Sequence, residues 1–182
     1  RTSKTINGVS TTYSYDSENR LTAEATPSTS AITYGYDNNG NQTSRTQGTT
    51  QESYQYDFDN RLASYVKTNT LTSTTLEAVA YGFMPLGQRH LKHVTTAAGA
   101  GVDNKTWQMH DGNDAVTDYT QTGTGPVSLS VSYLQGLGID GKLARVTAGS
   151  GTFHYYVPDG MGSVGQLLDA SLHKPPSRLF CK

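Results

Sequence analysis

The chain is constrained most by a spaced repetition. Tyr13-Ser14-Tyr15-Asp16 recurs as Tyr34-Gly35-Tyr36-Asp37 and again as Tyr54-Gln55-Tyr56-Asp57, at intervals of 21 and then 20 residues. Each copy is followed by a polar turn and a return segment, namely residues 17–21, 38–41 and 58–62. A degenerate fourth copy, Tyr81-Gly82-Phe83-Met84, keeps the alternating aromatics and replaces the acid with Met84. Residues two apart on a strand share a face, so both tyrosines of each copy lie on one side of a sheet. The aspartate that follows starts the turn. Its carboxylate accepts backbone N–H groups two or so residues on, while Asn or Gly supplies the positive-φ position that closes a hairpin.

Roughly twenty residues hold two strands of about six plus two turns, so repetition of this unit predicts an all-β fold. We expect a twisted antiparallel sheet, or partial β-spiral, of hairpins with tyrosine stacked over tyrosine from strand to strand. On that reading Tyr15, Asp16, Tyr36, Asp37, Tyr56, Asp57 and Tyr81 define the repeat, and Tyr36, in the middle copy, is expected to be buried. Composition agrees. Twelve tyrosines, nineteen glycines and abundant Thr and Ser are a strand-and-turn vocabulary. Charged residues make up only 16 % of the chain, against about 25 % in ordinary domains. Lys+Arg number 14 and Asp+Glu 15, which lacks the basic excess of a nucleic-acid binder. No apolar run is long enough for a membrane-spanning helix. Cys181 is the sole cysteine, so neither an internal disulfide nor a four-cysteine zinc site can form.

The pattern Tyr-x-Tyr-Asp-x-x-x-Asn-Arg-Leu resembles the YD repeat of the RHS (rearrangement hot spot) family. Three further segments, 109–116, 133–145 and 155–171, the last containing Asp159, resemble the ordered series that ends an RHS core. The resemblance spans roughly residues 10–171. It implies a β-strand shell around a toxin or a folding polypeptide in secreted bacterial toxins and related cell-surface proteins, without a catalytic site in the repeats. It also implies a secreted or cell-surface setting, and partners drawn from the chain's own longer polypeptide, a toxin domain or a cell-surface ligand. The expected organisation is YD hairpins over 1–100, core-end hairpins continuing the sheet over 101–171, and a basic, two-proline tail over 172–182 that departs from the family pattern and is read as a non-native or disordered ending, ahead of the self-cleavage and toxin region that the resemblance implies. Residues Arg1–Ser10 show no charged-then-apolar leader, so the chain is read as a piece of a longer one, with self-association expected through its open edge strands.

Candidate chemistry is sparse. Asp37, Asn39 and Asn41 place oxygen ligands at alternate positions, as calcium loops begin, although the turn itself accounts for the same residues. His90 and His93 have zinc-like spacing but fall on opposite faces of a strand. Residues 160–165 match G-x-G-x-x-G without the helix and distal acid that a dinucleotide fold needs, so no cofactor is expected there. Tyrosine-rich surfaces also stack on sugars, a carbohydrate-binding reading that requires exposed rings. A reading from another class is a small, calcium-assisted hydrolase of an ester or lactone, using Asp37 or the Asp159 and Asp169 pair. No complete nucleophile-base set accompanies those acids.

Overall fold

The computed structural model describes residues 2–96, 101–136, 141–158 and 164–171. Among them there is no helix, and the chain runs through fifteen strands. They are β1 (Ser3–Ile6), β2 (Val9–Tyr15), β3 (Leu21–Ala25), β4 (Ile32–Tyr36), β5 (Gln42–Gln47), β6 (Thr50–Tyr56), β7 (Leu62–Asn69) and β8 (Thr74–Phe83). There follow β9 (Arg89–Thr96), β10 (Asp103–Asp111), β11 (Asp114–Thr122), β12 (Ser128–Gln135), β13 (Lys142–Thr147), β14 (Thr152–Pro158) and β15 (Val164–Asp169). Hydrogen-bonded neighbours follow sequence order from β1 to β15 in one unclosed sheet, and β1 and β15 are its edges among the described residues. By contacts the chain divides into two compact units, 1–81 with 93–103, and 82–92 with 104–182. The first unit is the repeat region.

Its turns follow from local backbone chemistry. Asn7 and Gly8, at φ 48° and 79°, close the β1–β2 hairpin with the two positive-φ residues that a right-twisted two-residue turn needs. Each YD strand then closes on its return strand through a longer loop, and the register slips by one beside the second tyrosine. Ser14 pairs with Ala23 but Tyr15 with Leu21, leaving Thr22 as the inserted residue. The same bulge leaves Thr43 between the partners of Gly35 and Tyr36, and Ala63 between those of Gln55 and Tyr56. In the second unit it recurs at Val116, Leu143 and Gly165. Such a bulge bends the strand and increases its twist without breaking the ladder.

Register sorts the side chains of the first unit onto two faces. Tyr13 pairs with Glu24 and Glu24 with Ile32; Tyr34 pairs with Arg45 and Arg45 with Glu52; Tyr54 pairs with Tyr65. The opposite face is built of small residues, Ala23, Thr33, Gly35, Ser44 and Ser53. A Cβ at Gly35 would come within 2.5 Å of the Ser44 Oγ, so the middle residue of this Tyr-x-Tyr is held small. In the second unit one face bears Gln108, Asp118, Tyr133, Arg145, His154 and Asp169 by register. The other bears Leu134, Ala144, Tyr155 and Phe153.

Burial corrects one expectation. The buried apolar residues among those described are Val79, Ala115, Ala144 and Leu167. Tyr36 is half-buried, not buried, like its neighbours on β4 and β5, none of which is buried. Cross-strand pairs and hydrogen bonds therefore carry more of the stability than a packed core does.

Candidate functional site

The three YD turns repeat one geometry atom for atom. The N–H groups of Asp16, Asp37 and Asp57 donate to the carbonyls of Arg20, Asn41 and Arg61 at 3.0, 2.9 and 2.9 Å. The N–H groups of Asn19, Gly40 and Asn60 return to the aspartate carbonyls, each at 3.1 Å. These third residues hold φ of 61°, 87° and 60°, the left-handed position of a type I turn followed by a bulge. Each aspartate Oδ1 accepts two backbone N–H groups: Glu18 and Arg20 on Asp16, Asn39 and Asn41 on Asp37, Asp59 and Arg61 on Asp57. Each Oδ2 accepts the side chain four residues on, from Arg20 Nε and Arg61 Nε at 2.7 Å and from Asn41 Nδ2 at 3.0 Å.

This environment favours the ionised acid. Backbone and then side-chain donation from Arg20 holds the Asp16 carboxyl below its ordinary value. For Asp37 the leading cause of the same lowering is the Asn41 side chain. At Asp57 desolvation is the largest single influence and pushes upward, but donations from the Arg61 backbone and side chain outweigh it, and the net direction is down. In the fourth copy the Met84 N–H still donates to the Gln88 carbonyl at 2.8 Å, and Gly87 takes the left-handed position at φ 94°. The backbone turn thus persists without its acid, and Tyr81 begins that copy within β8.

Successive repeats are tied together through the second tyrosine. Tyr36 donates its hydroxyl to the Leu21 carbonyl at 2.8 Å, and Tyr56 donates to Gln42 at 3.1 Å. Leu21 and Gln42 are the register partners of Tyr15 and Tyr36, so each tyrosine reaches back to the residue beside its predecessor. A return strand lies between successive repeat tyrosines. The step from one to the next is therefore made by a hydroxyl and a carbonyl, where ring-on-ring stacking was expected. The turns are also linked laterally. Arg20 donates to the Asp37 carbonyl at 3.1 Å and lies 5.1 Å from the Tyr36 ring centre, while Asn39 and Asn41 both donate to Asn60 Oδ1.

Sequence reasoning missed the polar rows on the same face. Tyr34 donates to Glu24, Tyr54 donates to Glu52 at 3.0 Å, and Arg45 pairs with Glu52 at 3.4 Å. Burial, reinforced by the Glu52 acceptor, pushes the Tyr54 hydroxyl up to about 12. In the second unit Tyr133 donates to Asp118 at 2.7 Å, and burial leads the upward shift of its hydroxyl. The signal was available in the first residue of each Tyr-x-Tyr and the acids at 24 and 52, which period-2 alternation puts on one face.

Among the described residues no group of three or more His, Cys, Asp or Glu is placed to hold a metal ion. The Asp37 carboxylate takes two backbone N–H donors, and Asn41 presents its side-chain amide nitrogen to it as a third. His93 pairs with Asp103 at 2.7 Å, whereas His90 lies against Gly82. Asp169 pairs with His154 in register and accepts the Ser171 N–H at 2.9 Å. Asp159, the glycine-rich segment from 160 to 163, and the 172–182 tail with Cys181 lie outside the described residues. No helix is long and apolar enough to cross a membrane among the described residues.

Comparison with protein families finds the RHS Repeat model over residues 1–31 and 15–52. No curated protein matches the chain. Solved structures with which the chain aligns include a Photorhabdus luminescens Tc holotoxin pore carrying a TccC3 mutation, at 10 % identity and a TM-score of 0.43 over 91 % of this chain and 12 % of that one. A TcdB2-TccC3-TEV crystal structure aligns at 11 % identity and a TM-score of 0.45 over 93 % of this chain and 10 % of that one. The chain spans about a tenth of the length of these structures.

Proposed function

We propose that the chain, which matches the RHS Repeat model over residues 1–52, is a non-catalytic section of a repeat wall, a sheet that encloses or contacts another polypeptide and extends through its edges into a longer chain. The observation that carries this reading is the repeated turn-and-tyrosine link, which starts within the residues matched by the RHS model and continues beyond them at Tyr56. A wall needs each repeat to bond to the next with little private core, which is the pattern of stacked-repeat proteins. Extension needs open edges, and β1 and β15 supply them among the described residues. Asp37, one of the acids that sequence offered as catalytic, has a structural use here: its carboxylate caps its own turn.

Secretion or a cell-surface position, and a partner that is a toxin, a carbohydrate or a surface protein, follow as expectations from the same family reading. The test is turnover. Purified protein incubated with a panel of generic esters and lactones, with and without calcium or a chelator, is expected to show background hydrolysis only. Saturable turnover that falls on replacing Asp37 with Asn, while the protein stays folded, would replace the wall with the hydrolase.

A further inference from the structure

The first unit contains a cavity of about 300 Å³ that no repeat feature requires, lined by Thr11, Tyr13, Glu24, Thr29, Ser30 and Gln47 together with Thr26 and Ile32. Its origin is a mismatch of lengths. The β3–β4 pairing covers only Ala23 with Thr33 and Glu24 with Ile32, while β2 runs past it on one side and β5 on the other. The loop joining β3 to β4 closes the notch. Thr11 and Thr26 share a hydroxyl contact of 2.8 Å, Thr29 donates to the Thr26 carbonyl, and Ser30 stands against Gly48. At Gly48, φ is 56° and a Cβ would lie 3.2 Å from the Ser30 Oγ.

The electrostatics of this cavity are one-sided. Asp16, Glu18, Glu52, Asp57, Asp59 and Asp103 each pair with an Arg or His. Glu24, half-buried, has the hydroxyl of Tyr34 as its hydrogen-bond partner and forms no ion pair among the described residues. Glu24 is also the single ionisable carboxylate of the lining, and no Lys or Arg lines the cavity. Arg45 lies nearby, but it donates to Gln47 Oε1 at 3.1 Å and pairs with Glu52, so Glu24 is left without an ion pair of its own and gains from a cation brought to it. The remaining polar lining consists of hydroxyls, whose oxygens accept hydrogen bonds, and the Gln47 amide, whose oxygen also accepts from Arg45 Nη2 at 3.1 Å; the Tyr13 ring adds an aromatic face.

We propose that this cavity binds a primary ammonium group on a flexible aliphatic stem, with Glu24 as its counter-ion. An ammonium carries three N–H donors and no acceptor, which suits a carboxylate set among hydroxyl and amide oxygens. The Tyr13 ring offers a cation–π contact, and the volume accommodates the stem as well as the charged head. No Lys or Arg is among the lining residues to receive an anion. The chemistry belongs equally to a free diamine and to a lysine side chain of a partner polypeptide, and it does not depend on the wall reading.

Ligand-observed NMR on the intact chain at neutral pH tests it, with 1,5-diaminopentane, a doubly capped lysine peptide and glucose as probes. Saturable binding of either amine supports the site: the diamine alone assigns a free amine, and the peptide assigns a polypeptide partner. Glu24→Gln is expected to weaken amine binding at least about tenfold, and added salt should weaken it in the parent. Thermal melting of the variant checks its fold; Gln47→Ala, with the same expected direction, serves if Glu24→Gln does not fold. Failure of both amines to bind, glucose binding as tightly as they do, or amine binding unchanged in folded Glu24→Gln and Gln47→Ala overturns the proposal. The turnover assay is untouched by any of these results.

Discussion

The Tyr56 hydroxyl donates at 3.1 Å to the carbonyl of Gln42, the residue that pairs across the ladder with Tyr36. One repeat therefore reads the position of the one before it through a single atom pair. Removing that atom while keeping the ring isolates the link. Tyr36→Phe and Tyr56→Phe should each lower stability by about 0.5–1.5 kcal/mol, measured by denaturant unfolding, with little change in the slope. The larger penalty of about 3–5 kcal/mol for deleting a fully buried aromatic is not expected even for Tyr36→Ala, because Tyr36 is half-buried.

The fourth copy offers the reverse experiment. Its backbone turn matches the other three, but Met84 has no carboxylate to receive the N–H groups that follow. Met84→Asp should therefore stabilise the protein by about 1 kcal/mol, the net contribution of a hydrogen bond gained. Asp57→Ala should destabilise it, since the Asp59 and Arg61 N–H groups and Arg61 Nε lose their acceptor. Melting temperatures of the two variants beside the parent give the comparison; a fall for Met84→Asp would mean that the carboxylate is not what these turns use.

Acid should act through the same groups. The Asp16, Asp37 and Asp57 carboxyls are held below their ordinary values when folded. Their contribution is thus complete above the unfolded carboxylate range, near pH 4, and is lost as pH falls through the lowered folded values. Unfolding followed between neutral pH and pH 2 should show stability falling from about pH 4 downward. The Asp16→Asn, Asp37→Asn, Asp57→Asn triple variant should show a shallower fall over that window.

Alkali should act through the tyrosine rows. The Tyr54 hydroxyl titrates at about 12 in the fold, against about 10 when unfolded, and Tyr34, Tyr65, Tyr133 and Tyr156 shift in the same direction. A raised folded value gives stability that is complete below the unfolded value and lost as pH rises through the folded one. Melting temperature should therefore decline from about pH 10 upward, and the phenolate absorbance of these five tyrosines should appear with unfolding instead of before it.

The turns were the most legible part of the chain, because their chemistry is local. Asp16, Asp37 and Asp57 act on N–H groups two and four residues ahead, a range over which sequence spacing and spatial distance coincide. The role of Tyr36 was half legible. Period-2 alternation gave its face, but its partner, Leu21, lies fifteen positions back and is reached only once the bulge at Thr22 has set the register. The cavity beside Glu24 was not legible at all. It depends on β2 and β5 outrunning the β3–β4 pairing, a difference of strand ends that no motif records.

The wall reading rests on open edges, and β1 gives the most direct test. Asn7-Gly8 closes a two-residue hairpin between Ile6 and Val9, and the antiparallel ladder alternates bonded and non-bonded pairs from there. The Thr5 N–H consequently points away from β2, toward the space a further strand would occupy. Thr5→Pro removes that donor without touching the β1–β2 ladder. Sedimentation velocity over a range of concentrations is the measurement. The account predicts reversible association of the parent that Thr5→Pro weakens while melting stays within a few degrees. A strictly monomeric parent at high concentration, or association indifferent to the proline, would contradict it.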